Sequence, residues 1–301
     1  MQSKRFKNSV LWIFVDGLGL GSRNPAVNPL AAFRPTILNF FDGALQALPC
    51  GGLCLKTDAT LGVEGLPQSA TGQTSLFTGL NAQKMMGRHL QGFPNQKLKE
   101  LIGRWSVFQR LKDAGKQVTF ANAYTPEFFE RPSRRVSVTT SMCLTAGVAL
   151  RTLQDLAADR ALFMDYTNRL LRKRGHATPL RNPQEAARVL HRTLERYDLC
   201  LYEYFLTDLI GHRGTMRQAV RLLEELDRFV AAVVEQADLE RLSIILTSDH
   251  GNIEDMTTSS HTRNPVPTAI WGPLRKTPAS LESWSIDQTT PLVLEFLCDS
   301  L

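Results

Sequence analysis

The sequence predicts an α/β fold with a largely parallel central sheet, helices on both faces and a small cap insertion. Short apolar runs of strand length alternate along the chain with segments of helical periodicity, which is typical of parallel strands joined by crossover helices. Of the 301 residues, 43% are apolar and 21% are charged. This ordinary globular composition is sufficient for a sizeable core.

The elements follow one another in a regular order. The buried-strand pattern at 10–17 ends in Asp-Gly, and the Ser/Thr-rich segment 65–79 indicates a loop that opens a helix. The later predicted elements are a helix at 98–114, a strand at 117–123, a helix at 184–198, a strand at 199–208, a helix at 215–237, strands at 242–249 and 267–272, and a helix at 289–298. The alternation fails between residues 124 and 183. We therefore expect residues 1–123 and 184–301 to form the core, and residues 124–183 to form the cap.

The charge limits the possible partners, and the cysteine content favours a cytoplasmic protein. Thirty-five basic and 29 acidic residues give a net charge of +6, which suits either an anionic substrate or a cationic surface. The basic residues are scattered and no nucleic-acid-reading motif is present, so we expect no nucleic-acid partner. No apolar stretch approaches the roughly 18 residues of a membrane span. The five cysteines lack metal-type spacing and fit reduced thiols, and nothing indicates the oligomeric state.

Acids and imidazoles fall at the predicted strand ends. Asp16, Asp208 and Asp249 are each expected at the carboxyl end of a strand, where parallel sheets bind their ligands. His212 follows Asp208 by four residues, and His250 is the neighbour of Asp249. His261 lies eleven residues further on. One such Asp is usually a turn former, but three Asp and three His together indicate a site for divalent cations.

The segment GLPQSATGQTSLFTG supplies a candidate nucleophile. A Ser/Thr-rich turn at the start of a helix offers backbone N–H groups to an anion, and its hydroxyls can bind metal. Beside a metal site, a hydroxyl of this segment becomes a candidate nucleophile. A hydroxyl here can equally be an ordinary helix cap.

Five motifs together resemble one known family. VDGLG, SATGQ, TDLIGH, TSDHGNIEDM and HTRNPVP occur in the same order in the alkaline phosphatase superfamily of two-metal enzymes. The resemblance is greatest to the branch of the cofactor-independent phosphoglycerate mutases and phosphopentomutases. It implies an alkaline phosphatase-like core and two divalent ions, Mn or Zn. Gln73 and Gln68 depart from the pattern, since family members often have His and an Asn or acid at these positions.

The resemblance assigns the ligands residue by residue. It implies that one ion is held by Asp208, His212 and His261, and that the other is held by Asp16, Asp249 and His250 with Ser69 beside it. The spacing of the family pattern in SATGQ implies Ser69 as the nucleophile that forms a phosphoserine, with Thr71 as the alternative. Water or a second hydroxyl of a small phosphorylated substrate then takes up the phosphoryl group.

Three functions remain open. Hydrolysis of a small phosphoester is favoured because the mutases of this branch carry a large substrate domain after the nucleophile helix, where only a short stretch is present here. A phosphomutase and a catalytically inactive metal-binding module are the alternatives. Candidate substrate ligands are Arg131, Arg134, Arg135 and His89. A solvated basic loop and a packed or surface histidine would explain the same residues.

Overall fold

The computed structural model describes residues 8–43, 46–130, 135–276 and 284–298. Arg131 and Arg134 lie outside these residues. The strands are β1 Ser9–Val15, β2 Gln46–Leu48, β3 Gly52–Asp58, β4 Val118–Phe120, β5 Ala123–Tyr124, β6 Arg151–Thr152, β7 Leu199–Tyr204, β8 Leu242–Thr247, β9 Val266–Trp271 and β10 Trp284–Ser285. The α-helices are α1 Ser69–Thr78, α2 Ala82–Met86, α3 Gln96–Trp105, α4 Val107–Asp113, α5 Pro126–Glu130, α6 Val138–Thr145, α7 Leu153–Ala157, α8 Arg169–Lys173, α9 Pro183–Leu194, α10 Leu206–Arg213, α11 Met216–Glu235 and α12 Thr289–Cys298.

One central sheet organises the molecule. Its strands lie in the order β10–β3–β9–β8–β1–β7–β4, and β2 pairs with β3. β1 is parallel to both of its neighbours, β7 and β8, and β4 is parallel to β7. β9 runs antiparallel to β8 and β3. The predicted α/β fold with a largely parallel sheet is confirmed, with antiparallel pairs confined to the β2–β3–β9–β8 side.

Both faces of the sheet are covered. Along β1, Leu11, Ile13 and Val15 belong to a core shared with α9 and α11. The alternate residues Trp12 and Phe14 belong to a second core shared with α1, α4 and α12. A strand buried on both faces is apolar throughout, which explains why it is recognisable in the sequence.

The strand ends differ in one respect from the prediction. β1 and β8 end immediately before Asp16 and the pair Ser248–Asp249, as expected. The strand predicted at 199–208 is too long, because β7 ends at Tyr204 and α10 begins at Leu206. Asp208 therefore lies in the first turn of a helix.

The segment 124–183 is partly joined to the core. α6 packs through Val138, Met142 and Cys143 into the same apolar cluster as α1 and α4. The short strands β5 and β6 pair with each other outside the main sheet. The division into core and cap stays a prediction.

The helix predicted at 98–114 is two helices, because Ser106 ends α3 and caps α4.

The helices and the cysteines of the described part of the chain can be compared with the predictions of no membrane span and reduced thiols. Within it, no helix combines the length and apolar character needed to cross a membrane. All five cysteines lie within it and are unpaired, and three of them are buried.

A buried carboxylate on α11 is expected to stabilise the fold. Asp227 accepts hydrogen bonds from the backbone N–H groups of Thr36, Ile37 and Leu38 at 2.7, 2.9 and 2.8 Å. Asp227→Asn places an N–H donor against these donors. It should lower the free energy of unfolding by about 2–3 kcal/mol in urea denaturation. Glu235→Gln, on the exposed end of the same helix, should change it by less than about 0.5 kcal/mol. Equal stabilities of the two variants would contradict this role.

Candidate metal centre and active site

Three side chains converge beyond the end of the sheet. Asp208 Oδ1 lies 3.3 Å from His212 Nε2 and 3.4 Å from His261 Nε2, and the two Nε2 atoms are 3.1 Å apart. Asp208 and His212 are one turn apart on α10, so the helix itself places them side by side. His261 reaches them from the loop between β8 and β9.

The hydrogen bonds of these imidazoles fit a metal ion. Nδ1 of His212 donates to the Ser259 carbonyl at 2.7 Å, and Nδ1 of His261 donates to the Pro67 carbonyl at 2.8 Å. Because a carbonyl only accepts, both Nδ1 atoms carry hydrogen and both Nε2 atoms face the carboxylate. A proton or a cation must lie among them. Tetrahedral zinc, with bonds of about 2.0–2.1 Å, separates its ligand atoms by about 3.3 Å, which matches the observed spacing.

A second group surrounds His250 and shares Asp208 with the first. His250 Nε2 lies 2.9 Å from Ser69 Oγ, 3.3 Å from Asp16 Oδ1 and 3.5 Å from Asp249 Oδ2. Ligand atoms of Asp16, Asp208 and His250 all lie within 4.8 Å of one another. Asp16 Oδ1 and Asp249 Oδ2 are buried without a hydrogen-bond partner. Unpaired buried carboxylate oxygens are costly, so this donor set also fits a cation.

The seven predicted metal ligands are thus brought together in two adjoining groups. The rings of His250 and His261 stack across them, with centroids 3.7 Å apart and planes 17° apart. The sequence placed Asp208 in only one group, whereas it belongs to both.

The pKa values of the Asp16 and Asp208 carboxyls are shifted in opposite directions. Burial, with the nearby charges of Asp249 and Asp208, raises the pKa of Asp16 well above its usual range. Burial also acts to raise the pKa of Asp208, but the hydrogen bond from His261 and the charge of His250 outweigh it and lower that pKa to about 2. Without a cation, the buried carboxyls cannot all be ionised at once. A bound cation would favour their ionised forms.

Ser69 is the hydroxyl that faces these groups. It is the first residue of α1, where N–H groups and the positive end of the helix dipole favour an anion. Its Oγ is the one 2.9 Å from His250 Nε2. Thr71 is fully buried, and its Oγ1 donates to the Gln68 carbonyl at 3.4 Å and accepts from Leu90 N at 3.1 Å. The helix therefore turns Ser69, and not Thr71, towards the acids and imidazoles.

Gln73 supports the second group from the same helix. It lies one turn after Ser69 and is 4% exposed. Its Nε2 donates to Asp16 Oδ2 at 3.1 Å. This bond satisfies one oxygen of Asp16 and leaves Oδ1 towards His250, so the residue that departs from the family pattern has a positioning contact here.

Glu254 holds the loop that carries three of the predicted ligands. Its Oε2 accepts from the N–H groups of Gly19 at 2.9 Å and Asn252 at 2.7 Å. Its Oε1 accepts from Thr262 Oγ1 at 2.5 Å and Asn264 Nδ2 at 3.1 Å. A Cβ at Gly19 would stand 2.3 Å from this carboxyl, so only glycine permits the close approach.

A cavity of about 510 Å³ opens beside Ser69. Asp16, Gln73 and Asp208 contribute to its wall, as does Arg135, one of the predicted substrate ligands. The cavity is within the size range of small-molecule sites.

The other predicted substrate ligands are placed differently. His89 is outside the described lining of this cavity, and its Nε2 lies 3.1 Å from the Val63 carbonyl. Arg131 and Arg134 lie outside the described residues, so their roles, like that of His89, stay predictions.

Glu203 is a site residue that the sequence reasoning missed. It lies on β7, is 7% exposed and lines the cavity. Its Oε2 accepts from Thr139 Oγ1 at 2.8 Å, and its backbone exchanges two hydrogen bonds with the Asn122 side chain. Burial and the charge of Asp249 raise its pKa to about 7, although the Thr139 bond acts to lower it. An acid inside an otherwise apolar strand was the signal available in the sequence.

The chain is similar to known metalloenzymes in sequence. The family described as the Metalloenzyme superfamily matches residues 174–296. The 2,3-bisphosphoglycerate-independent phosphoglycerate mutase of Desulforudis audaxviator is 31% identical over 110 residues, which are 35% of this chain and 21% of that protein. The mutase of Cereibacter sphaeroides is 34% identical over 110 residues, which are 34% of this chain and 21% of that protein. The matched segments therefore span about a fifth of these relatives.

Solved structures resemble it over nearly the whole chain. The PH0037 protein of Pyrococcus horikoshii has a TM-score of 0.62 at 13% identity, covering 98% of this chain and 99% of that one. The alkaline phosphatase of the Antarctic bacterium TAB5 has a TM-score of 0.54 at 12% identity, covering 97% and 99%. At these identities the likeness establishes the fold.

The pKa of Glu203 predicts how stability depends on pH. Because the folded-state pKa of about 7 is above the usual 4.5, the folded chain binds more protons than the unfolded chain between these values. Ionising Glu203 should therefore reduce the unfolding free energy by on the order of 2–3 kcal/mol between about pH 5 and pH 8. Chemical denaturation of the chelator-treated protein should show this loss, and Glu203→Gln should remove it. A variant with the same pH slope as the natural chain would contradict the assignment.

Proposed function

Because this chain belongs to the alkaline phosphatase superfamily of metalloenzymes, near its phosphoglycerate mutase branch, we propose that it is a metal-dependent phosphoryl-transfer enzyme that hydrolyses a small phosphomonoester. One observation carries the proposal. The Ser69 hydroxyl stands at a helix N-terminus, beside two adjoining groups of Asp and His donors and at the wall of a ligand-sized cavity. This combination supports phosphoryl transfer to serine better than it supports a purely structural metal site.

Two divalent cations, Mn or Zn, are proposed as cofactors. Asp208, His212 and His261 would hold one, while Asp16, Asp249 and His250 would hold the other with Asp208 shared. When bound, such ions supply Lewis acidity, lower the pKa of a nearby hydroxyl and neutralise phosphoryl charge.

The proposed reaction passes through Ser69 twice. In the first half, Ser69 gives up its hydroxyl proton, its Oγ bonds to phosphorus in line, and the bond from phosphorus to the alcohol oxygen breaks. The departing alkoxide takes up a proton, so the proton count is unchanged. In the second half, water adds to phosphorus and the bond to Ser69 breaks, which restores the hydroxyl and yields inorganic phosphate.

Other residues of the chain hold the phosphoryl group and the nucleophile. The dipole of α1 would attract a phosphoryl group at Ser69, whereas the N–H of Thr71 already donates to the Leu90 carbonyl at 3.3 Å. Gln73 fixes Asp16 through its 3.1 Å bond. Arg135, at the cavity wall, is proposed to bind substrate oxygens, together with Arg131 and Arg134.

A phosphomutase is the second candidate, favoured by the 31–34% identity to mutases. Between Thr78 and Gln96, however, the chain carries only the short helix α2. The large substrate domain expected of that branch is therefore not inserted there, and a smaller enclosure admits water more easily. The two functions separate in water enriched in ¹⁸O, since a hydrolase releases labelled inorganic phosphate and a mutase returns an unlabelled isomer. An inactive binding module would do neither.

Replacing the nucleophile should abolish turnover. Ser69→Ala is expected to reduce metal-dependent phosphate release from a phosphomonoester by at least about 10³-fold, because no covalent intermediate can form. Acid-quenched natural protein should carry phosphate on the peptide that contains Ser69, detected by mass spectrometry. Thr71→Val, which removes the alternative hydroxyl at nearly constant volume, should keep turnover. Survival of turnover in Ser69→Ala, together with its loss in Thr71→Val, would transfer the role to Thr71.

Replacing Asp208, which both donor groups share, should reduce the stabilisation of the fold by added metal. Mn²⁺ at about 100 times its dissociation constant should add about 2.7 kcal/mol to the unfolding free energy of the natural chain. Asp208→Asn, if it weakens binding by about 100-fold, should leave about 0.4 kcal/mol at the same concentration. Thermal denaturation with and without Mn²⁺ or Zn²⁺ measures both. Asp238→Asn, a surface carboxyl with its side chain 59% exposed, is the matched control and should retain the full effect. The same stabilisation in Asp208→Asn would exclude Asp208 as a ligand.

A further inference from the structure

We propose that the substrate is a phosphomonoester whose organic part is aromatic, or similarly flat and apolar, and carries no second anionic group. The inference rests on the proposed function, because it names the substrate class of that same site. It concerns the apolar wall of the cavity, which lies beside the proposed metal ligands.

Most of the large apolar side chains that line the cavity beside Ser69 are aromatic. Six aromatic residues line it, namely Phe93, Phe120, Tyr124, Phe128, Phe163 and Phe205. The same cavity is bounded by Asp16, Ser69 and Asp208, so a phosphoryl group at Ser69 would have its organic part among these rings. Predominantly apolar walls with a few convergent polar groups are what small-molecule sites use to bind an apolar ligand.

Three of these rings, those of Phe120, Tyr124 and Phe128, are in contact with one another through Tyr124. Tyr124 and Phe128 have centroids 4.5 Å apart at 47°, and Phe120 lies 6.3 Å from Tyr124 at 51°. Phe93 is 52% exposed and Leu209 is 43% exposed, although both belong to the lining. An apolar ligand bound beside Ser69 can cover this exposed apolar surface. An aromatic ligand can in addition stack on, or pack edge to face with, the rings of the wall.

Within the described lining, no buried cation is available to pair with a second anionic group away from the metal ligands. Glu203 places a carboxyl in the wall at 7% exposure, next to the acids of the metal groups. Within the described lining, the cations are Arg135 and Arg174, and both are exposed. Arg174 lies over the Phe163 ring at 5.9 Å. A substrate carboxylate among the aromatic rings would lose water and gain no buried cation among these residues, which is unfavourable.

The test compares three phosphates of primary alcohols, so that the leaving groups have similar intrinsic reactivity. They are 2-naphthylmethyl phosphate, glycerol 1-phosphate and 3-phosphoglycerate, each supplied to the full chain with Mn²⁺ or Zn²⁺. We expect kcat/KM for the naphthylmethyl ester to exceed that for glycerol 1-phosphate by about 10- to 100-fold, because the ring buries apolar area. 3-Phosphoglycerate, with its additional carboxylate, should be the slowest.

Variants assign the preference to the aromatic wall. Phe128→Ala and the exposed Phe93→Ala should each lower the naphthylmethyl-to-glycerol ratio of kcat/KM, Phe128→Ala by about tenfold. The control is Trp105→Ala, an aromatic residue that is 38% exposed and outside the described lining. It should leave the ratio unchanged. Because Phe93 is exposed, its truncation separates a change in preference from a failure to fold.

The outcomes distinguish this inference from the function on which it rests. Turnover led by 3-phosphoglycerate or glycerol 1-phosphate would overturn the substrate class while leaving phosphoryl transfer intact. A ratio that does not respond to Phe93→Ala and Phe128→Ala would overturn the role of the wall. Absence of turnover with all three esters, and of phosphate on Ser69 after acid quenching, would overturn the proposed function and this inference together.

Discussion

The structure depends on the concentration of buried acids and imidazoles at one edge of its sheet. Asp16, Asp249 and His250 are almost wholly inaccessible to water, and two of their carboxylate oxygens lack any hydrogen-bond donor. Asp208 joins them to a further pair of histidines. In a low-dielectric environment, ionised carboxylates without donors are strongly unfavourable unless a cation accompanies them. The acids at this edge of the sheet therefore require a positive charge, and the neighbouring side chains do not supply it.

Much of the surrounding architecture holds these groups in place. β1, buried on both faces, fixes the position of Asp16 by its pairing with β7 and β8. Glu254 ties the loop after β8 back to Gly19, and Gln73 on α1 fixes one oxygen of Asp16. Each of these contacts uses buried hydrogen bonds between segments distant in sequence. Ligand geometry and fold are consequently stabilised by the same interactions.

The features that the sequence predicts well are those that depend on local pattern. The apolar run ending at Asp16 and the i, i+4 spacing of Asp208 and His212 are visible without a structure, because strand burial and helical pitch act over a few residues. The strand-end pattern indicated the three Asp and three His residues, and the motif resemblance divided them into two groups beside Ser69. The sharing of Asp208 was not predictable, since it depends on how α10 meets the loop after β8.

The remaining surprises are non-local. Thr71 and Ser69 lie on different sides of α1, and the packing of that helix determines which hydroxyl faces the donor groups. The aromatic residues of the cavity wall come from several segments between residues 93 and 205, so no single stretch of sequence displays them together. β3 begins with glycine, and its antiparallel partner β9 lies far along the chain. Such pairings are set by the hydrophobic cores and not by local preference.

The most direct test of the account is anomalous X-ray scattering from crystals of the full chain soaked separately with Mn²⁺ and Zn²⁺. The account predicts two anomalous peaks, one among Asp208, His212 and His261 and the other among Asp16, Asp249 and His250, with Asp208 in contact with both. Peaks elsewhere on the molecule, or none at these two positions under saturating metal, would contradict it.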